Sequence, residues 1–135
     1  MWQIKRDISD PLVFSNGLFF INALLYLQAG LVLVGLLFLC SATFSWLYHL
    51  HAESEYRRLD YVFAGSALIS VFVWVFPELD WPEWIFLLGW LIPSFAVKIE
   101  GSQPYAEYNY RFYHVLWHIM VFLGNLFAWI FLSYL

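Results

Sequence analysis

A chain of 135 residues has room for one domain, and 63% hydrophobic residues against 12% charged sets it far from a soluble average. Its formal charge of -4 is confined to short polar stretches with no basic face, which excludes nucleic acid as a partner. The one cysteine, Cys40, lies in an apolar run and has no second thiol for an internal disulfide.

Several runs of about 20 apolar residues, each enough to cross a bilayer as a helix, predict an all-α, polytopic transmembrane bundle of about five helices. It forms a single domain over residues 1–135. The start, MWQIKRDISDP, is charged and lacks the apolar centre of a cleaved signal peptide, so the first helix is expected to stay. Pro11 suits the first helical turn, where its missing N–H costs nothing. The apolar run from Leu12 to Leu50 is too long for one span, and Gln28-Ala29-Gly30 is its most polar, glycine-containing point. A break there leaves helices over about 12–27 and 31–50. The third helix runs over about 59–76 and stops at PELDWPE, with its two prolines and three acids. The fourth takes 84–97, with a kink expected at Pro93. Residues 98–111 form a polar, tyrosine-rich link, and the fifth helix takes 112–134.

Five spans put the N-terminus and the links 51–58 and 98–111 on one side of a membrane. All six basic residues fall there: Lys5, Arg6, Arg57, Arg58, Lys98 and Arg111. The other side carries Glu78, Asp80 and Glu83 and no Lys or Arg, so the first side is expected to be cytoplasmic and the C-terminus to lie opposite. Trp74, Trp81 and Trp84 on one rim, and Tyr105, Tyr108, Tyr110 and Tyr113 on the other, stand where interfacial aromatic belts form.

The same topology gathers polar residues at one depth. Ser45 and His49 stand one turn apart at the end of helix two, with Ser41 a turn deeper. Asp60 opens helix three, and His114 and His118 share a face of helix five at the i, i+4 spacing with which two imidazoles bind one metal. Ionisable groups in such apolar segments are costly and point to a functional site. Three histidines suit Zn2+ and leave a fourth position for water. Asp60 is then a fourth ligand or a general base, and Ser45 orients water or donates to an oxyanion. A haem held by His49 with His114 or His118 is a second metal reading. Without a metal, the histidines are interfacial or packed residues and Asp60 pairs with Arg57 or Arg111. His51 lies off this face, among Glu53, Ser54 and Glu55, and reads as solvated. Asn16, Asn22 and Asn125 read as hydrogen-bond glue between helices, and Gly65, Gly89 and Gly124 as close-packing points.

Taken together, Ser45-x-x-x-His49, Asp60 and His114-x-x-x-His118 resemble the signature of the CREST superfamily of membrane proteins. That superfamily includes alkaline ceramidases, adiponectin-receptor-like proteins and the myomaker-related group. FSWLYH and RRLDY look adiponectin-receptor-like, and HVLWHIMVFLG is closer to alkaline ceramidases. Ser15-Asn16 resembles a Ser-Asn pair in the family's first helix. The resemblance implies zinc on His49, His114 and His118, with Ser45 and Asp60 beside the zinc water, and hydrolysis of a sphingolipid amide. The family typically has seven transmembrane helices, so the resemblance implies a shortened version lacking two of them. The acidic calcium-site pattern of alkaline ceramidases is not clearly reproduced by Asp7, Asp10 and Asn16.

Two functions follow as expectations. One is a zinc-dependent hydrolase of an amide or ester bond in a membrane lipid, ceramide-like or another acyl amide. The other is a non-catalytic, zinc-stabilised membrane module that binds lipid or a protein partner, with Asp60 closing the site as fourth ligand. A bundle this small is also a candidate for homo-oligomerisation that completes a pocket.

Overall fold

Asp10 opens the first helical turn by accepting from the Leu12 N–H (3.0 Å), and Pro11 follows at the first position. In the computed structural model, which describes residues 6–51, 54–100 and 107–134, this turn is the short helix α1 (Pro11–Phe14). It does not continue as the single helix expected over 12–27. The Asn16 amide donates to the Leu12 carbonyl at 2.6 Å and the Ser15 hydroxyl to the same carbonyl at 3.4 Å, bonds that compete with the helical ladder. After this interruption α2 (Gly17–Gln28) completes the first membrane-length segment.

The break after Gln28 falls where the sequence places it. Gly30 takes φ +79°, the Leu31 N–H reaches the Tyr26 carbonyl (3.0 Å) and the Gly30 N–H the Leu27 carbonyl (3.1 Å). This bond pair ends a helix on glycine, the residue with no Cβ to oppose a positive φ. α3 (Val32–His51) follows. α4 (Ser54–Trp74) begins more than a turn before the expected residue 59, and α6 (Glu107–Ser133) more than a turn before 112. Charged residues at these starts do not stop a helix whose side chains extend to water beyond an apolar layer. Between them, a 3₁₀ turn (Phe76–Glu78) leads to α5 (Trp81–Glu100), which exceeds 84–97 at both ends and runs through Pro93. Glu83 accepts from the Asp80 N–H (2.8 Å) and so starts α5 with half of a capping box.

All described elements are helical, and five segments are long and apolar enough to cross a membrane: Pro11–Gln28, Val32–His51, Glu55–Glu78, Trp81–Glu100 and Asn109–Ser133. They pack as an arc, α4 on α3, α3 on α2, α2 on α6 and α6 on α5. Its centre is an apolar cluster that includes Ala23, Tyr26, Phe38, Val71, Val75 and Ala128. α4 and α5 stand at the two ends of the arc and share no extended contact among the described residues. They are joined at the turn, where the Trp84 indole donates to the Phe76 carbonyl (2.7 Å).

Polar and glycine contacts partly depart from expectation. Asn125 does join helices, accepting from the Tyr26 hydroxyl at 3.0 Å. Asn16 bonds within its own turn, and the buried Asn22 amide has no hydrogen-bond partner among the described residues. Gly124 is a close approach, since a Cβ there would meet Trp90 Cδ1 at 2.9 Å, but a Cβ at Gly65 or Gly89 would meet nothing within 4 Å. The tighter contact is at Gly35, where a Cβ would lie 2.6 Å from Leu27 Cγ, and periodicity did not single it out.

One end of the arc holds residues 6–10, the end of α3, the starts of α4 and α6, and the end of α5. Arg6 donates from its backbone to the Leu50 carbonyl and from its guanidinium to the His49 carbonyl (3.3 Å each), a cation at a helix C-terminus. Arg111 pairs with Asp10 (3.2 Å), which ties the start of α1 to α6. Asp7 accepts the Ser9 N–H and hydroxyl (2.8 Å each), bonds that hold its carboxyl below its ordinary pKa. Lys5, Glu53 and Tyr105, and the side chains of Ser54 and Tyr108, lie outside the described residues.

Candidate metal centre

His49 sits in the last turn of α3, where its fully buried ring faces α6. His114 and His118 come from two successive turns of α6, as their spacing requires. The ring centroids lie 4.8 Å apart for His49 and His114, 4.6 Å for His114 and His118, and 5.8 Å for His49 and His118. One nitrogen from each ring lies within 4.8 Å of the other two, close enough to hold one metal ion. Rings meeting edge to face at these separations suit a small ion and leave no flat slot for a porphyrin between any two of them.

The donor chemistry agrees with the geometry. Both ring nitrogens of His49 are buried without a hydrogen-bond partner among the described residues, and an unsatisfied buried polar group costs about 1–3 kcal/mol. A metal removes that cost for the nitrogen that binds it. Imidazole suits zinc and also copper, iron and nickel.

His118 is held in place from α1. The Ser15 hydroxyl lies 2.7 Å from His118 Nδ1, and Phe19 packs edge to face on the ring at 5.0 Å. A bond at Nδ1 sets the ring orientation and leaves Nε2 as the nitrogen for a metal. Sequence reasoning noted Ser15 only through the family's Ser-Asn pair and did not connect it with His118. The visible signal was a buried polar pair one turn after Pro11.

Asp60 lies in the second turn of α4, hydrogen-bonded to the buried Ser45 of α3. It is not a member of the three-histidine cluster, and it shares with His114 the walls of the two chambers described next. Arg111, one of its expected ion-pair partners, donates to Asp10. Lys98, from the end of α5, stands near enough to act on Asp60, and its ammonium lies 5.5 Å from the centre of the Trp117 ring. Lys98 was expected only as a basic residue of the link, because its approach to Asp60 depends on how α5 leans. His51 is partly exposed with its ring 6.0 Å from Tyr56, and it stands outside the cluster, as expected.

Two chambers meet at this site. The first, about 290 Å³, is lined by His114 and His118 and runs between α4 and α5, walled mainly by apolar side chains such as Leu68, Phe72, Leu87 and Phe95, with Ser41 and Ser45 also in its wall. The second, about 340 Å³, lies toward the end of the bundle that carries the basic residues and is walled by Tyr48, Arg57, Tyr110 and Tyr113. Asp60, Tyr61, Lys98, His114 and Trp117 belong to both.

Fold and site together define an all-helical bundle, with five helices able to cross a membrane and a three-histidine cluster able to hold a metal ion. No protein-family model matches the chain, and no curated protein or solved structure is significantly similar to it.

Proposed function

We propose that this protein is a zinc-dependent integral membrane hydrolase that cleaves an amide or ester bond of a membrane lipid, as a shortened member of the CREST superfamily. The observation that carries this reading is the fully buried His49, with no hydrogen-bond partner among the described residues for either ring nitrogen and one of them within 4.8 Å of nitrogens of His114 and His118, which line an apolar chamber. Five membrane-length helices, with Arg6, Arg57, Arg58, Lys98 and Arg111 at one end and Glu78, Asp80 and Glu83 at the other, support a multi-pass protein whose N-terminus and site face the cytoplasm.

His49, His114 and His118 would hold the ion, with the Ser15 hydroxyl bonded to His118 Nδ1 keeping that ring oriented. Zinc in such a site acts as a Lewis acid and lowers the pKa of water toward about 7. Asp60 takes a proton from the attacking water and delivers it to the leaving nitrogen or oxygen as the acyl bond breaks. Ser45 donates to Asp60 and fixes the carboxyl at the junction of the chambers. Asp60 standing apart from the cluster favours this role over that of a fourth ligand closing a structural site.

Two measurements test the reading. Metal analysis is expected to find about one zinc per chain, lost in His114→Ala. Asp60→Asn is expected to keep zinc and lose about 10²–10⁴-fold in turnover of a ceramide or other acyl amide. A wild-type protein without zinc removes the site. An Asp60→Asn protein that loses zinc together with its fold makes Asp60 a ligand and the protein a zinc-stabilised module.

A further inference from the structure

Four of the five buried serines are hydrogen-bonded. Ser15 bonds His118, Ser45 bonds Asp60, and Ser70 and Ser94 donate to the Ala67 and Trp90 carbonyls of their own helices (2.7 and 2.8 Å). Ser41 is the exception. It is 6% exposed, has no hydrogen-bond partner among the described residues and stands in the wall of the apolar chamber. A hydroxyl on a membrane-spanning helix is costly to leave unpaired, since hydrocarbon offers it no bond.

Asn125 belongs to the same wall. Its amide donates one N–H to the Val121 carbonyl (2.9 Å) and its oxygen accepts from Tyr26 (3.0 Å), which leaves the second N–H without a partner among the described residues. The two residues are at one depth. Ser41 stands eight residues, about 12 Å, along α3 from His49, and Asn125 seven residues, about 10 Å, along α6 from His118, both away from the end that holds the histidines.

The chamber that joins these levels is long and narrow. Its wall follows α4 from Asp60 to Phe76, about 24 Å, for a volume of about 290 Å³. It also opens sideways. Tyr61, Phe72 and Phe95 line it yet are 61%, 37% and 44% exposed, because α4 and α5 do not close on one another there. A chain lying in a bilayer enters through that gap without crossing water. Such a chain covers the apolar wall, but it gives Ser41 nothing to bond unless it carries an oxygen at that depth.

We infer that the chamber takes an acyl chain with a hydroxyl near its middle, held by Ser41 and Asn125. An extended chain advances about 1.2 Å per bond, a third of the reach of one residue, so the hydroxyl falls about eight to ten bonds from the acyl carbonyl. It donates to the Ser41 oxygen and accepts from the Asn125 amide. Placing the carbonyl beside His114 and Asp60 rests on the hydrolase reading, whereas the bonds to the hydroxyl do not.

The test titrates the full chain in phosphatidylcholine nanodiscs with radiolabelled 10-hydroxystearate, stearate and 2-hydroxystearate, counting retention above empty nanodiscs. The three share one head and one length, and none has a bond to hydrolyse. The 10-hydroxy acid is expected to bind about five- to tenfold more tightly than the other two, the gain from pairing a buried polar group. Ser41→Ala removes a hydroxyl that bonds nothing in the fold, so it is expected to fold, to bring 10-hydroxystearate down to the affinity of stearate, and to leave stearate unchanged. An independent variant acts on the chamber itself. Gly65 lines it and an added Cβ meets nothing within 4 Å, so Gly65→Leu is expected to fold and to weaken all three acids. Equal affinity for 10-hydroxystearate and stearate, a 2-hydroxy isomer bound as tightly, equal losses for all three acids in Ser41→Ala, or unchanged binding in Gly65→Leu overturns the inference. The ethanolamides of 10-hydroxystearate and stearate separate it from the hydrolase reading. A binding preference without cleavage of either amide supports the inference and counts against the hydrolase, whereas cleavage of both at equal rates with no binding preference does the reverse.

Discussion

At the scale of single residues, the three histidines were legible because two of them share a helix. The spacing of His114 and His118 fixes their separation before any tertiary contact forms, and His49 reaches the same depth because its helix ends on the same side. Ser15 was not legible as a partner, since its bond to His118 links residues far apart in the chain and needs α1 to break where it does. Ser15→Ala removes that hydroxyl and is expected to lower zinc affinity about 10–100-fold, as loss of such an orienting partner does. Competition with a chelator of known affinity measures it. Unchanged affinity means that the ring is oriented by packing on Phe19 instead.

At the scale of elements, hydropathy located every membrane-length helix but placed most ends too far inward. Charged and aromatic residues read as links continue α4, α5 and α6, because the backbone ladder persists wherever side chains reach water. Helix packing was harder to read. Glycine content alone does not distinguish a glycine facing outward from one pressed on a neighbour, and Gly35 faces Leu27 and the Ala23 carbonyl, with 3.0 Å from that oxygen to an added Cβ. Gly35→Val is expected to destabilise the bundle by about 1–3 kcal/mol relative to Gly89→Val, the usual range for overpacking. Thermal unfolding in detergent compares the two. Equal midpoints refute the close contact of α2 and α3.

At the scale of the whole molecule, the charges and the helix count lead to one expectation. With Cys40 replaced by serine, a cysteine at Glu55 is expected to react with an impermeant maleimide only from the cytoplasmic side and one at Ser133 only from the opposite side. Both positions are exposed. Labelling of both from one side refutes five crossings.

The sequence by itself determined the all-helical class, the five apolar segments, the glycine-ended break at Gly30 and the one end of the bundle where histidines and cations gather. These follow from hydropathy, local spacing and parity along the chain, each a property of neighbouring residues. Only the tertiary structure decided that α4 and α5 stand apart, that Lys98 turns toward Asp60 and that Ser15 meets His118. Apolar faces in a membrane do not rank one helix partner above another by hydrophobicity, so the order of packing rests on shape and on a few polar contacts between distant segments.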